Sequence, residues 1–244
     1  SDIVLTVDAT KVRGSLNADR IPTGLIKFDL RANGINVDSY LPPKSRKQAA
    51  TPGAAAAAAA TLPMDLLRSL HFSGKLKVGK LTLANIRASA VNVTAKAKSG
   101  KIKLHPVSAR LYKGGYKGNI ALDATGKVVR VTVDEKLTKV SLEHLLRDVT
   151  GAAPVGGIGS VTAKLTTSGR NPEQLVAGLN GDVKVVMRNG SIKSIDIVRS
   201  VCSALSGSKQ AGETQFDLLT ANGKVTNGVV DNPDMNIASP ALRI

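Results

Sequence analysis

Few side chains in this sequence have the type and spacing that covalent chemistry needs. His71, His105 and His144 stand on separate segments, with no partner at metal-ligand spacing. Cys202 sits among Val201, Ala204 and Leu205, the setting of a buried inert thiol rather than a nucleophile. As the single cysteine it also leaves no internal disulfide framework. Asp134 and Glu135 are adjacent in a strand-like stretch, so their carboxylates point to opposite faces, a poor geometry for shared acid–base work. Gly156-Gly157-Ile158-Gly159 lacks both the Lys-Ser/Thr ending of a phosphate loop and the dinucleotide spacing. It reads as a flexible connection into a strand over 160–166. No nucleophile-elbow motif occurs. The expectation is a protein that is not an enzyme, with no catalytic residue, no metal site and no cofactor.

The chemistry that remains is electrostatic. The 244 residues carry a net charge of +16, and between Leu66 and Leu122 there are nine lysines, three arginines and no acid. Lys75, Lys77, Lys96, Lys98, Lys101 and Lys103 alternate with aliphatic residues, which places them on one wet, basic face of a sheet. A nucleic acid is not the expected partner. Single-strand binders interleave rings for stacking, and only Phe72, Tyr112 and Tyr116 flank this region. Anionic lipid headgroups would feel the same attraction.

The elements that hold these residues are mainly strands. The alternations Ile26/Phe28/Leu30, Leu76/Val78, Val91/Val93/Ala95/Ala97, Ile102/Leu104, Ile120/Leu122/Ala124 and Val129/Val131/Val133 predict half-buried β-structure. So do Val161/Ala163/Leu165, Val183/Val185/Met187, Phe216/Leu218 and Met235/Ile237. Gly79 shifts Leu81 and Leu83 out of phase, the mark of a bulge or turn, and Ser99-Gly100 signals a hairpin. Short helices are predicted over 64–70 (Leu66, Leu67 and Leu70 on one face), 142–149 behind Ser141, 174–179 behind Asn171-Pro172-Glu173, and 195–205. Three regions follow: strands over 1–41, a Pro/Ala-rich linker over 42–62, and a β-rich region over 63–244. No apolar run reaches the roughly 18 residues of a membrane-spanning helix. Both ends read as cut from a longer chain.

Aromatic residues are only 2% of the chain, so the apolar mass is Val, Leu, Ile and Ala. Two arrangements satisfy this mainly antiparallel pattern. The aliphatic face is an ordinary core, closed by the helices or by the sheet folding on itself. Alternatively it is a partly open, smooth-walled trough for an apolar ligand.

Several stretches, in this order, resemble the carboxy-terminal part of the AsmA family of envelope proteins. They are Asp38-Ser39-Tyr40-Leu41-Pro42-Pro43, Pro63-Met64-Asp65-Leu66-Leu67-Arg68-Ser69-Leu70, and Gly74 to Leu81. They continue with Ala88-Ser89-Ala90-Val91, Gly100 to Gly114, Asn189 to Ile197, Thr214-Gln215-Phe216, Asn227-Gly228-Val229-Val230 and Ser239 to Ile244. The resemblance implies a periplasmic protein of a Gram-negative bacterium, anchored in the inner membrane. It also implies a link to outer-membrane assembly and phospholipid movement, and kinship with TamB-like bridge proteins. The implied fold is a curved antiparallel sheet forming an open groove or partial barrel. The implied partners are a phospholipid or other membrane lipid, and envelope proteins. The wall residues would be Leu76, Val78, Leu83, Val91, Val93, Ile102, Leu104, Ile120, Leu122, Val131, Val133, Val161, Leu165, Val183 and Val185. A different function on the same residues is a non-catalytic interaction module with a closed β core.

Overall fold

The computed structural model describes residues 2–7, 10–19, 24–40, 61–193 and 213–239. Thirteen strands form one sheet: β1 (Asp2–Val7), β2 (Thr10–Ala18), β3 (Ile26–Asn36), β4 (Phe72–Leu83), β5 (Ile86–Lys98), β6 (Lys101–Leu111), β7 (Gly114–Asp123), β8 (Val129–Ser141), β9 (Val155–Gly169), β10 (Asn180–Lys193), β11 (Glu213–Thr226), β12 (Val229–Asp231) and β13 (Asn236–Ala238). Strands β1 to β12 lie side by side in chain order, and β13 pairs with β11. The sheet is curved and open rather than closed, so the closed core entertained for an interaction module is not the observed architecture. Among the described residues three short α-helices accompany it: α1 (Met64–Ser69), α2 (Leu142–Thr150) and α3 (Pro172–Ala177). The predicted helix over 195–205, Cys202 and all but the last two residues of the predicted linker lie outside the described residues.

The meander follows from its turns. Ala84-Asn85, Ser99-Gly100, Tyr112-Lys113 and Asn227-Gly228 each put two consecutive residues at positive φ, the geometry whose twist matches paired strands. Asn85 tolerates this region, Ala84 carries a side chain that disfavours it, and Asp38 compensates. Its carboxylate accepts from Ala84 N at 2.6 Å and Asn85 N at 2.9 Å. One connection departs from the antiparallel pattern. β3 and β4 are parallel, with Ile26 beside Phe72 at their starts and Asn36 beside Thr82 toward their ends.

The phase change at Gly79 is real, but it does not break the strand. It runs across three strands at once. Ala32, Val78 and Val91 share one face, and beyond Asn33, Gly79 and Ala90 that face is continued by Ile35, Leu81 and Ala88. A side chain at 79 would run into the Asn33 carbonyl oxygen. Elsewhere the sequence patterns misplace individual residues. Leu219, not Leu218, is buried beside Phe216, since β11 changes phase between them. Met235 is exposed, as is Leu66, so α1 turns Leu67 and Leu70 inward without Leu66. The glycine run 156–159 lies inside β9 rather than leading into it. Its role is proximity: a Cβ on Gly159 would collide with Leu142 of α2. Asn171 caps α3 as expected, accepting from Gln174 N at 2.8 Å, but α3 ends at Ala177, short of Leu179. Ser141 precedes α2, yet its hydroxyl pairs with His144 Nδ1 at 2.7 Å instead of capping a backbone amide.

Candidate functional site

The pairing register sorts the predicted wall residues into rows that run across the strands. One row is Leu30, Leu76, Val93, Val107, Gly118, Glu135, Ala163, Val183 and Gly223, from β3 to β11. Next to it lie Gly74, Ala95, Leu104, Ile120, Val133, Leu165 and Gly181. A third row is Phe72, Ala97, Ile102, Leu122, Val131 and Thr167. Strands lie about 4.8 Å apart, so the nine strands from β3 to β11 give a face roughly 40 Å long.

These rows are not equally covered. On the side toward α2, Val140, Leu142, Met187, Phe216 and Leu219 form a buried cluster, against which Leu145, Val161 and Val185 pack. Val78 and Val91 are buried with Ala32 in a second, smaller cluster. These two wall candidates belong to a local core, while Leu83 lies at the strand ends and is 45% exposed. Leu76, Val93, Ile102, Leu104, Ile120, Leu122, Val131, Val133, Leu165 and Val183 are half-buried. Their environment is intermediate between core and surface: apolar neighbours on either side, and incomplete cover above.

Helix α2 is fixed over its end of the face by polar contacts. Ser141 N donates to Tyr112 O at 2.9 Å, and the Tyr112 hydroxyl donates to Asp148 at 2.8 Å. Lys193 Nζ and Arg147 Nη2 each donate to Glu143 Oε1 at 2.8 Å. Lys193, then Arg147, holds the Glu143 carboxyl below its ordinary range.

One ionisable residue, Glu135, interrupts the aliphatic rows, and the alternation alone does not single it out. Asp134 and Glu135 do point to opposite faces, but Glu135 is the one turned inward, into the row between Gly118 and Ala163. Its Oε2 is sealed from solvent and makes no well-formed hydrogen bond among the described residues. Gly118 leaves the space it occupies: a Cβ there would collide with Glu135 Oε2 and the Tyr116 hydroxyl. Burial pushes the Glu135 carboxyl above its ordinary range, the nearby Tyr116 hydroxyl pulls it back, and Asp134 adds to the rise. The Tyr116 phenol is itself pushed up, by burial first and then by Glu135. The signal available in the sequence was Gly118 preceded by Tyr116, a glycine where the alternation calls for an aliphatic residue.

The opposite face is charged. Lys75, Lys77, Lys96, Lys98, Lys101 and Lys103 are all exposed, and Lys96 sits directly opposite Lys103, as Lys98 does Lys101. Among the described residues no group of three or more His, Cys, Asp or Glu could hold a metal ion. No described helix is long and apolar enough to cross a membrane.

No curated protein and no solved structure matches the chain. The AsmA family model matches residues 22–235, on both sides of the predicted linker. That family is envelope-associated and linked to envelope assembly and lipid transport. With the match covering most of its length, the chain belongs to the AsmA family.

Proposed function

We propose that the inner face of the sheet shelters lipid acyl chains and that the protein supports phospholipid movement between the inner and outer membranes. The observation that carries this reading is the half-buried state of the central aliphatic rows in an open sheet. An acyl chain laid along them completes their burial, at ~0.8 kcal/mol per methylene removed from water. Small aliphatic side chains suit a mobile chain, because no deep, shaped pocket fixes one ligand in one pose. Transfer of this kind needs no catalytic group and no cofactor. The chain would act in the periplasm as the carboxy-terminal part of a protein anchored in the inner membrane, akin to TamB-like bridges, with envelope proteins as further partners. Residues 63–244 would supply most of the trough and 1–41 its first strands.

Native mass spectrometry of the chain purified from a bacterial envelope extract tests the reading. Phospholipid that stays bound through a high-salt wash is the expected result. A folded chain that carries no lipid and takes up none from mixed micelles would overturn it.

A further inference from the structure

Glu135 is the one ionisable residue in the three inner rows, and the wall is shaped around it. Gly118 on β7 and Ala163 on β9 flank it in register, neighbours that together carry a single methyl group. Its Oε2 is sealed in the gap that Gly118 leaves, beside the Tyr116 hydroxyl. The residue as a whole is only half-buried, and its second oxygen is not sealed in this way. The carboxyl is thus set into the wall, with low ground beside it at Ala163.

Its place along β8 is a boundary. On one side lie the rows of Val133 and Val131, half-buried and without an ionisable side chain. On the other side Leu137 and Val161 pack against the α2 cluster. Alternate residues of a strand are roughly 7 Å apart. A polar headgroup at Glu135 therefore leaves its acyl chains on the uncharged rows beside it, clear of the covered core.

We infer that Glu135 receives the headgroup of a lipid in the trough and selects headgroups that end in a primary ammonium, the chemistry of phosphatidylethanolamine. The inference rests on the trough reading. An ionised carboxylate only accepts hydrogen bonds, and a primary ammonium brings donors together with the compensating charge. Burial disfavours the ionised carboxyl, so a cation arriving there relieves a cost that the empty wall carries. A trimethylammonium brings the charge without an N–H donor. A headgroup whose only charge is its phosphate is repelled. A divalent metal ion would need several more oxygen ligands, and among the described residues no group of three or more His, Cys, Asp or Glu gathers here.

The experiment offers the whole chain an equimolar mixture of dioleoyl phosphatidylethanolamine, phosphatidylcholine and phosphatidylglycerol in mixed micelles. Bound lipids are read by native mass spectrometry after a high-salt wash. A shared acyl composition removes the contribution of the chains, and salt suppresses attraction to the outer lysines. Phosphatidylethanolamine should be enriched on the order of 10-fold over phosphatidylcholine, with phosphatidylglycerol retained least. Glu135→Gln keeps the side chain's shape and loses its charge. It should still carry lipid, with the ethanolamine-to-choline ratio close to parity. Asp134→Asn removes the same charge from the exposed outer face and should keep the parent's ratio. Circular dichroism confirms that both variants are folded. No ethanolamine enrichment in the parent, undiminished enrichment in Glu135→Gln, or an equal loss in Asp134→Asn would each overturn the inference and leave the trough reading in place. A folded parent chain that takes up none of the three lipids would overturn both.

Discussion

Replacing Val133 by Asp puts a charge at the centre of the aliphatic rows while sparing the two buried clusters. Val133 is half-buried, pairs with Ile120 on one side and Leu165 on the other, and belongs to neither cluster. The folding cost should therefore stay near the typical ~1 kcal/mol of a point substitution. The binding cost should be larger. An ionised aspartate keeps its water, and that water occupies the wall across three strands, about 10 Å of its length. An extended chain places about eight methylenes over that length, each touching the wall on about half its surface, so the loss is roughly 3 kcal/mol at ~0.8 kcal/mol per fully buried methylene. That is about a 100-fold loss of affinity. The control is Thr132→Asp, which places the same charge on the same strand, on the exposed outer face. Lipid occupancy is read by native mass spectrometry after equal exposure to phospholipid, with circular dichroism to confirm folding. Equal lipid occupancy in folded Val133→Asp and Thr132→Asp would refute the wall assignment.

Other expectations follow from particular contacts. The folded carboxyl of Glu135 is raised, so its stability contribution is fully present below the ordinary carboxylate value and is lost as pH rises through the raised one. Denaturant midpoints of Glu135→Gln against the parent should thus shift in favour of the variant between about pH 3.5 and pH 8; a pH-independent difference would contradict the burial of this group. Glu143 has the opposite sign, its lowered carboxyl stabilising the fold at neutral pH and ceasing to do so as acid protonates it. Glu143→Gln should accordingly lower the melting temperature at neutral pH and converge with the parent in acid. Gly181 has φ +141°, and a Cβ there would run into the Lys164 carbonyl oxygen, a backbone atom with little room to move. Gly181→Ala should cost ~1–3 kcal/mol in chemical denaturation. Phe216→Ala empties the largest fully buried side chain of the α2 cluster and should cost ~3–5 kcal/mol by the same measurement.

The strands were legible because their alternation is strict: Lys75 to Val78 and Val91 to Lys98 assign inner and outer faces without reference to any partner strand. What the alternation could not reveal depends on neighbours distant in sequence. The shift at Gly79 reads as a possible turn until Asn33 and Ala90 are seen to shift with it. Gly156 to Gly159 reads as a flexible link, because the helix that needs the close approach follows a different strand. Glu135 reads as half of an unproductive pair, because its significance lies in Gly118 across the strand boundary. Leu66 matched a helical face, but a helix of six residues at a rim need not bury every leucine it carries. Val78 and Val91 matched the wall and are on it, yet with Ala32 they close a small core of their own.

An open sheet with a long aliphatic face risks stacking against another sheet, and the lysines on the outer face bear on that risk. Lys96 opposite Lys103 and Lys98 opposite Lys101 are like charges in direct register, an arrangement that costs stability in a paired strand. Neither pair contributes to the inner wall, and a folded sheet would be more stable with either lysine replaced by a neutral β-former. What the pairs do supply is an outer face on which a second sheet cannot pack without burying four lysine charges, one of which, Lys101, has the Asp123 carboxylate in register on its other side. Apolar contact is thereby confined to the inner face, where the partly covered rows are long and narrow and suit a hydrocarbon chain better than a second protein layer. The low aromatic content and the high lysine content, unrelated as composition, thus act together: one keeps the inner wall smooth, and the other keeps the outer face single.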